Sequence, residues 1–448
     1  MISIDGFLEQ ACGKLPRPLS WRWAAIFFTL FVWALQVSIA ASQAFLAASG
    51  VLYVIHLLQR RPRVLFLPVK LPLALFCGFS VVSVFWAANP TVGWFAIRKL
   101  VLFLIWLLAI NLVVSAEHLR RLLHGVFAVS FLTSLVGIAQ FVKQYRDVRA
   151  HHPGEVYRFL TSMRIHGLMG HWMHFGGQQM LVFVFLLGFL LMSASRNWKL
   201  ETRNSDPEPR ISRFDSRLSV VWWLVTAMVA ISIVLNFTRG VWLGCSLAGI
   251  YLVARWQPKW LWALPVLVAL AYAGAPSLVR ERLHLAMHPT NEPALSIRLE
   301  MWRDALQMIR AHPWVGVGPN NIEEVYDLYL PSGKAPEVGY HGHFHDDFLQ
   351  FGAERGLPCL AAWVWLMAAL GWYTWKIRKR MPTKAAPSLA WIADASVAAW
   401  VAFLAEGCFE FNFGTSPVLM MFLFLTSAPF VAARVSESRE PSVSGPDY

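Results

Sequence analysis

The sequence predicts an all-α, polytopic membrane protein with about twelve transmembrane helices. Hydrophobic residues make up 57% of its 448 residues and charged residues only 15%, which is far from the composition of a soluble domain. In addition, apolar runs close to the roughly 20 residues needed to cross a bilayer recur between charged or Pro/Gly-rich breaks. Continuous runs of this kind indicate helical spans.

Twelve runs fit this description, and each is predicted to form one transmembrane helix. They lie near residues 20–36, 38–58, 71–88, 92–115, 119–142, 175–195, 218–236, 240–256, 259–275, 346–375, 388–409 and 415–434. Mostly polar residues precede the first run and no small-residue cleavage site follows it. We therefore expect a retained helix rather than a signal peptide.

The positions of lysine and arginine predict which side of the membrane each loop faces. Basic residues concentrate on one side of the twelve-helix arrangement, at 14–22, 60–63, 120–121, 196–217, 255–259, 376–380 and 434. By the positive-inside rule this side is cytoplasmic, and both chain termini lie there. The net charge of +13 follows largely from this bias, which disfavours nucleic-acid binding as its cause.

Two segments on the outer side are long, residues 143–174 and residues 276–345. Long connections are typical of functional or disordered segments. In the second, apolar residues at helical spacing predict an amphipathic helix over 296–311, which Ser296 caps and Pro313 follows. The predicted organisation is transmembrane helices 1–9 within 1–275, a large, partly helical periplasmic loop over 276–345, transmembrane helices 10–12 over 346–434 and a cytoplasmic tail over 435–448.

Several arginines lie on the outer side, where the positive-inside rule disfavours them. They are Arg164, Arg239, Arg280, Arg282, Arg298, Arg303 and Arg310. The turn that carries Arg239, NFTRG, is very short, and a charge there is costly unless it is paired or faces a polar cavity. Guanidinium groups offer bidentate donors to phosphate oxygens, so Arg164, Arg239 and Arg298 are candidates for phosphate binding. The alternative is that they snorkel to lipid headgroups or are solvated.

Three histidines and two aspartates lie close together before the tenth apolar run. They are His341, His343, His345, Asp346 and Asp347. The histidines alternate, so on an extended strand they share a face and, with one aspartate, fit a zinc or manganese site. No HExxH motif or second ligand group accompanies them. Another interpretation is a histidine general base oriented by an aspartate, and a third is a helix N-cap at Asp346.

These motifs together resemble the O-antigen ligase and O-antigen polymerase superfamily of bacterial inner-membrane proteins, most closely the O-antigen ligases of lipopolysaccharide assembly. The resemblance rests on FTRG at 237–240, SIRLEMWRDALQMIRAHPWVGVGPNNI at 296–322 and HFHDDFLQFGAERGLPCL at 343–360. The segment RIHGLMGHWMHFGG at 164–177 is similar to the family's first external segment.

The chain departs from the family's His-x-His-Asn pattern at Asp346, where Asn is commoner. A carboxylate at this position is expected to hold a neighbouring histidine more basic than an amide would. His345, which directly precedes it, is the preferred base, and His343 is the second choice.

The resemblance implies transfer of O-antigen polysaccharide from undecaprenyl pyrophosphate to a sugar hydroxyl of the lipid A core, at the periplasmic face of the inner membrane and among membrane lipids. No metal, other cofactor or nucleic acid takes part. His345, with His343 as its partner, is expected to deprotonate the acceptor. Arginine charge stabilises the pyrophosphate as it leaves, and attack in one step inverts the anomeric carbon. The expected substrate-binding residues are Arg298, Arg239, Arg164, His174, Arg303 and Asp346.

Three alternatives stay open. An O-antigen polymerase uses the same donor with a second lipid-linked glycan as acceptor, and a protein O-oligosaccharyltransferase uses a protein; motifs shared across the superfamily do not separate them. A membrane transporter belongs to a different class. It is disfavoured because the two halves of the chain are not similar and the polar residues gather outside rather than at the midplane.

Overall fold

The computed structural model describes residues 18–201, 216–287, 293–329, 342–381 and 389–437. No strand occurs among them, which confirms the predicted all-α class. The helices are α1 Leu19–Ala34, α2 Ile39–Arg60, α3 Lys70–Val84, α4 Pro90–Ile97, α5 Leu104–Leu112, α6 Ala116–His151, α7 Val156–Ser162, α8 Trp172–Glu201, α9 Ser216–Leu235, α10 Arg239–Trp256, α11 Leu264–Gly274, α12 Ser277–Met287, α13 Pro293–Ala311, α14 Ile322–Val325, α15 Asp347–Arg380, α16 Trp391–Gly407 and α17 Ser416–Glu437. Short 3₁₀ helices occupy Arg98–Phe103, Pro258–Ala263 and Tyr326–Tyr329.

Six of the described helical segments are long and apolar enough to cross a membrane. They are Ile39–Arg60, Pro90–Leu112, Ala116–His151, Trp172–Met192, Asp347–Arg380 and Ser416–Ser436. Shorter apolar helices include α1 and α3, and a described helix overlaps each of the twelve predicted runs. The chain is therefore a membrane protein, as predicted. The count of twelve spans and the sides on which the loops lie stay predictions.

Helices α8 and α17 form the centre of the bundle. In each, 89% of the apolar window is buried, against 33% in α2, so α8 and α17 contact protein on nearly all sides. Helix α16 packs against both of them, and Phe403 of α16 stacks on Phe422 of α17 with ring centroids 3.9 Å apart. This buried centre carries the loop 408–415, which joins α16 to α17.

Two predicted spans are interrupted in their middle, where continuous helices were expected. The span near 92–115 consists of α4, the 3₁₀ helix Arg98–Phe103 and α5. In α15, Gly356 has non-helical dihedral angles (φ 78°, ψ 169°), and Pro358 follows it. Interrupted helices at membrane depth are tolerated only where the freed backbone groups find other partners.

The turn at 313–318 supplies those partners for the break in α15. Three backbone hydrogen bonds join the two segments, from Val317 N–H to Ala353 O (2.9 Å), from Gly318 N–H to Glu354 O (2.8 Å) and from Leu357 N–H to Pro313 O (2.7 Å). A Cβ atom on Gly356 would overlap the main chain at Trp314, and one on Gly316 would overlap the main chain at Glu354. The two segments therefore meet backbone to backbone, and both glycines are required by this close approach.

Helix α13 is the predicted amphipathic helix, but it extends over Pro293–Ala311 rather than 296–311. Ser296 lies inside its first turn, so the predicted Ser296 cap is wrong; the helix begins with Pro293, a residue suited to the first helical position. Its buried face, formed by Met301, Ala305 and Met308, packs in one cluster with residues such as Val317, Ile322, Phe344 and Ala353. Helix α13 thereby lies against the first half of α15.

Candidate active site

The centre of the candidate site is Glu410, in the loop 408–415. Its Oε1 accepts a hydrogen bond from Arg298 Nη2, and its Oε2 is bonded to His345 Nδ1, each at 2.8 Å. Arg298 Nη1 also donates to Phe409 O at 2.8 Å. The Glu410 side chain is only 6% exposed, against 27% for Arg298. One buried carboxylate thus holds an arginine of α13 and a histidine of the predicted motif.

The backbone at His345 directs its ring toward Glu410. His345 has a left-handed φ of 51°, a conformation in which histidine is less unusual than most residues. The extended strand that the metal interpretation requires is not found over 343–345, yet the His343 and His345 rings do meet, with centroids 4.4 Å apart. Because an ionised carboxylate only accepts, His345 Nδ1 carries the proton, and Nε2 is left as the basic nitrogen.

The hydrogen bonds of the two aspartates after His345 go to main-chain N–H groups and not to the imidazole. Asp346 is the N-cap of α15, and its side chain accepts from Leu349 N–H at 2.8 Å, which confirms the capping interpretation. Asp347 is fully buried and accepts from Phe413 N–H at 3.2 Å. The carboxylate bonded to His345 is Glu410, which the sequence reasoning missed. The available signal was an acidic residue at the edge of an apolar run, a placement that favours a functional role.

The interactions of Glu410 fix its charge. Burial alone would raise the pKa of this carboxyl group, but the hydrogen bond with His345 and the positive charge of Arg298 outweigh it, so the pKa lies below its usual value. The carboxylate is therefore ionised at neutral pH. It can stabilise an imidazolium at His345 while it orients the guanidinium of Arg298.

Arg164 lies within the electrostatic influence of three other arginines and of this carboxylate. The pKa of Arg164 is lowered to about 10, and burial is the largest cause. Nearby positive charges lower it as well, and they belong to Arg282, Arg298 and Arg239. The charge of Glu410 acts in the opposite direction. Positive charge thus exceeds negative charge around Arg164, and a bound anion would relieve the repulsion. The structure brings together the three arginines predicted to bind phosphate.

Asn236 holds the turn before Arg239 against the outer segment. Its Nδ2 donates to Ile165 O at 2.9 Å and to Trp172 O at 3.2 Å. Arg239 is the first residue of α10, directly after this turn. Arg164 lies over the ring of Trp172, with 3.9 Å between its guanidinium carbon and the ring centroid, a cation–π contact. The same anchor therefore positions both arginines.

Arg282 is a second residue that the predicted site lacked. It lies on α12 and is only 8% exposed, although arginine is rarely buried without partners. Its Nε donates to Phe237 O at 3.2 Å, and its Nη1 donates to Tyr157 Oη at 3.4 Å. The sequence placed Arg282 among the outer arginines, but its burial and its proximity to Arg164 depend on tertiary contacts that no local pattern reveals.

Two predicted site residues lie apart from Glu410. His174 is in the first turn of α8, where its ring centroid is 5.5 Å from that of His171 and where it interacts electrostatically with Lys99. Arg303 lies on the exposed face of α13. No hydrogen bond or ion pair joins either of them to the other described site residues.

The metal alternative involves His341, which lies outside the described residues. Within the described part of the chain, no three His, Cys, Asp or Glu side chains converge as possible metal ligands. The carboxylate that contacts His345, Glu410, is already bonded to His345 Nδ1 and to Arg298.

A comparison with known protein families matches one segment of the chain, which contributes several residues to this site. Residues 224–364 match the family model described as O-antigen ligase. The predicted resemblance is thereby confirmed for this segment. It contains Arg239, Arg298 and His345, whereas Arg164 and Glu410 lie outside it. The match supports a function of the O-antigen ligase or polymerase type and a glycosyltransferase-like enzyme. No curated protein matches the chain.

Proposed function

We propose that this protein is an O-antigen ligase. It transfers O-antigen polysaccharide from undecaprenyl pyrophosphate to a sugar hydroxyl of the lipid A core. The reaction takes place at the periplasmic face of the bacterial inner membrane, with both chain termini in the cytoplasm. It needs no metal ion, and it inverts the anomeric carbon. The family match over 224–364 supports the class of reaction, and the side chains around Glu410 support the mechanism.

The observation that carries the proposal is the position of Glu410 between Arg298 and His345, at 2.8 Å from each. Glycosyl transfer from a pyrophosphate needs a base for the acceptor hydroxyl and positive charge for the leaving group. A carboxylate that bonds to both fixes the distance between them. It also keeps the imidazole in the tautomer whose Nε2 accepts a proton.

The reaction proceeds in one displacement. The proton of the acceptor hydroxyl moves to His345 Nε2 while the acceptor oxygen forms a bond to the anomeric carbon. On the opposite face the bond between that carbon and the pyrophosphate oxygen breaks, and its electron pair stays on the pyrophosphate. Glu410 stabilises the resulting imidazolium. A single attack from the opposite face inverts the anomeric carbon and needs no covalent intermediate on a carboxylate.

The arginines bind the donor. Arg298, Arg239 and Arg164 contact the pyrophosphate, and the buried Arg282 adds to the positive field that acts on Arg164. Pyrophosphate leaves as a weak base, so it requires neutralisation of its growing charge more than protonation. Guanidinium groups supply this charge with directional donors. His343 is the second candidate for the base, because its ring lies beside that of His345.

The direct test is glycosyl transfer by the purified protein. It receives an undecaprenyl-pyrophosphate glycan and, in separate reactions, lipid A core, a second lipid-linked glycan or a protein acceptor. We expect transfer to lipid A core, with loss of transfer in His345→Ala and Arg239→Ala. Transfer only to the second lipid-linked glycan would identify a polymerase, and transfer only to the protein an O-oligosaccharyltransferase. Wild-type rates in both variants would exclude the mechanism.

A chelator separates the arginine mechanism from the metal alternative. We expect the rate of transfer to be unchanged by an excess of chelator, because arginine charge neutralises the leaving group. Loss of transfer on chelation, with recovery when zinc or manganese is restored, would instead support a metal site at the histidines.

A further inference from the structure

Two positive charges lie inside a segment that is otherwise apolar. Arg98 and Lys99 begin the 3₁₀ helix that interrupts Pro90–Leu112, and this segment contains no other charged residue. Charged residues inside a membrane span are costly and are typical of functional positions. A 3₁₀ stretch in the middle of a helix is likewise common at such positions. Neither residue contributes to the cluster around Glu410.

Lys99 connects three parts of the molecule. Its Nζ donates to the carbonyl oxygen of Gly414, which belongs to the same loop as Glu410. It also interacts electrostatically with Glu354 and Arg355, the two residues that precede the break in α15. Lys99 therefore lies between the loop 408–415 and the break in α15.

A small pocket of about 40 Å³ opens beside Lys99, with Glu354 and Arg355 in its lining. This is room for about three water-sized groups. Glu354 Oε1 is already occupied, since it accepts from Asn320 N–H and from Gln350 Nε2, both at 2.8 Å. Arg355 is only 9% exposed, and its Nε has no hydrogen-bond partner among the described residues. Glu354 Oε2 lies 3.8 Å from Arg355 Nε. Lys99 and Arg355 thus share one carboxylate in this lining, and positive charge exceeds negative charge there.

The pocket adjoins the pair of histidines, on the side of His343. Phe411 lines the pocket, and its ring centroid is 6.5 Å from that of His343. A ligand group at Lys99 is therefore separated from the histidine pair by a single aromatic side chain. This proximity fits a substrate site better than a remote lipid site.

Lys99 also lines a larger, mostly apolar groove of about 380 Å³. Its walls come from α2, from the segment around the 3₁₀ helix and from the start of α17, and they include Leu46, Ala47 and Leu102. Arg98 lies at the groove with its guanidinium carbon 4.3 Å from the ring centroid of Phe95. Apolar walls with basic groups at one end are suited to a lipid chain and its charged headgroup.

We propose that this groove and pocket bind the acceptor, a phosphorylated and acylated glycolipid. Its phosphate lies at Lys99 and Arg98, and an acyl chain lies in the groove beside α2. This inference rests on the proposed function, which assigns the arginines around Glu410 to the donor pyrophosphate. Transfer between two lipids requires two headgroup sites beside one base. The loop 408–415 has one cation at each end, with Arg298 bonded to Glu410 and Lys99 bonded to Gly414.

Steady-state kinetics of the full-length protein test the phosphate site. For Lys99→Gln we expect the KM for the phosphorylated acceptor to rise at least tenfold, while kcat and the KM for the donor change less than twofold. With a dephosphorylated acceptor, the variant and the wild type should have the same KM. A rise in the KM for the donor alone, an equal rise for both acceptors, or no rise at all would overturn the assignment.

A substitution that fills the groove tests the acyl-chain site. Ala47 lines the groove and is exposed on α2, whereas Ala269 is exposed on α11 and does not line it. We expect Ala47→Trp to raise the KM for the acylated acceptor about tenfold and to leave the KM for a deacylated acceptor unchanged. Ala269→Trp should change neither. Equal effects of the two substitutions would overturn this part of the proposal.

Binding without turnover separates this inference from the proposed function. Native mass spectrometry of the solubilised protein should detect the acceptor lipid on the wild type and at least fivefold less on Lys99→Gln. If phosphatidylglycerol competed for the site as well as the acceptor lipid does, the site would be one for bulk lipid, and the acceptor assignment would be overturned. Lys99-dependent binding in a protein that transfers no glycan would contradict the ligase function but leave the lipid site in place.

Discussion

Two turns beyond α13 are held in opposite ways. The turn at 313–321 is fixed by main-chain hydrogen bonds to the broken part of α15 and by glycines that admit no side chain. The turn at 342–346 is fixed by side chains, since His345 is bonded to Glu410 and Asp346 caps α15. Each turn contains a residue with positive φ other than glycine, Asn320 and His345.

This difference indicates that the first turn supports the fold and that the second turn carries groups of the candidate site. A turn held by its main chain cannot lose a contact without strain in the elements that it joins. A turn held by side chains can lose one functional group while its backbone stays in place. Substitutions in the second turn should therefore reduce activity more than stability, and substitutions in the first should do the reverse.

The largest effect on activity is expected at His345. His345→Asn tolerates the left-handed backbone but has no basic nitrogen, so kcat/KM for glycosyl transfer should fall about 10³-fold, the usual contribution of a general base. The melting temperature should stay within a few degrees of that of the wild type. His151→Ala, at an exposed position at the end of α6, is the control. Residual activity above a tenth of the wild-type rate would favour His343 as the base.

Arg298 should follow, because the proposed mechanism assigns it to the charge of the leaving group. Arg298→Ala is expected to reduce kcat about 10²-fold, as does removal of one preorganised donor. Arg310→Ala, on the exposed end of the same helix, should change kcat less than threefold. Arg303→Ala decides the place of Arg303: a loss like that of Arg298→Ala puts it in the site, and a loss like that of Arg310→Ala removes it.

The main-chain turn should respond in stability. Gly356→Ala combines a positive φ with overlap at Trp314, and we expect a loss of about 3 kcal/mol in the free energy of unfolding. A Cβ atom at Gly249 meets no atom within 4 Å, so Gly249→Ala is the matched control and should be neutral or slightly stabilising. Thermal unfolding in detergent measures both. Equal melting temperatures would contradict the backbone-to-backbone fit.

A smaller effect is expected at the N-cap of α15. Asp346→Ala removes the acceptor for Leu349 N–H and should cost about 1 kcal/mol of unfolding free energy. Asp346→Asn keeps an oxygen in the same place and should retain the stability, since asparagine caps helices as well as aspartate does. An equal loss in both variants would mean that the charge of Asp346, and not its capping bond, stabilises the turn.

The smallest expected effect is a pH dependence of stability at Glu410. Its pKa is lower in the folded protein than in the unfolded chain, so its ionisation stabilises the fold above the unfolded value of about 4.3. This contribution is lost as the pH falls through the lower folded value. The difference in melting temperature between the wild type and Glu410→Gln should be constant above about pH 5 and shrink below it. A difference that grows on acidification would mean that burial dominates.

The sequence predicts most of the helices, because apolar runs of this length must be helical in a bilayer. It also predicts Arg298, His345 and the Asp346 cap, since each lies in a local pattern. It does not predict Glu410, whose partners come from segments distant in the chain and whose own loop is short. The sequence does not predict the break at Gly356 either, because the carbonyl groups freed there accept hydrogen bonds from the distant turn at 313–318.

The main-chain contact between that turn and the break in α15 constrains how either segment can be replaced. In a chimera, a Cβ atom at position 316 would overlap the main chain at Glu354, and one at position 318 would overlap Ala87. A turn 313–321 taken from a relative must therefore keep glycine at both positions or bring its own segments around residues 87 and 354 with it. The loop 408–415 makes no such main-chain fit with them, so an engineer can graft donor or acceptor preference there and leave the paired segments intact.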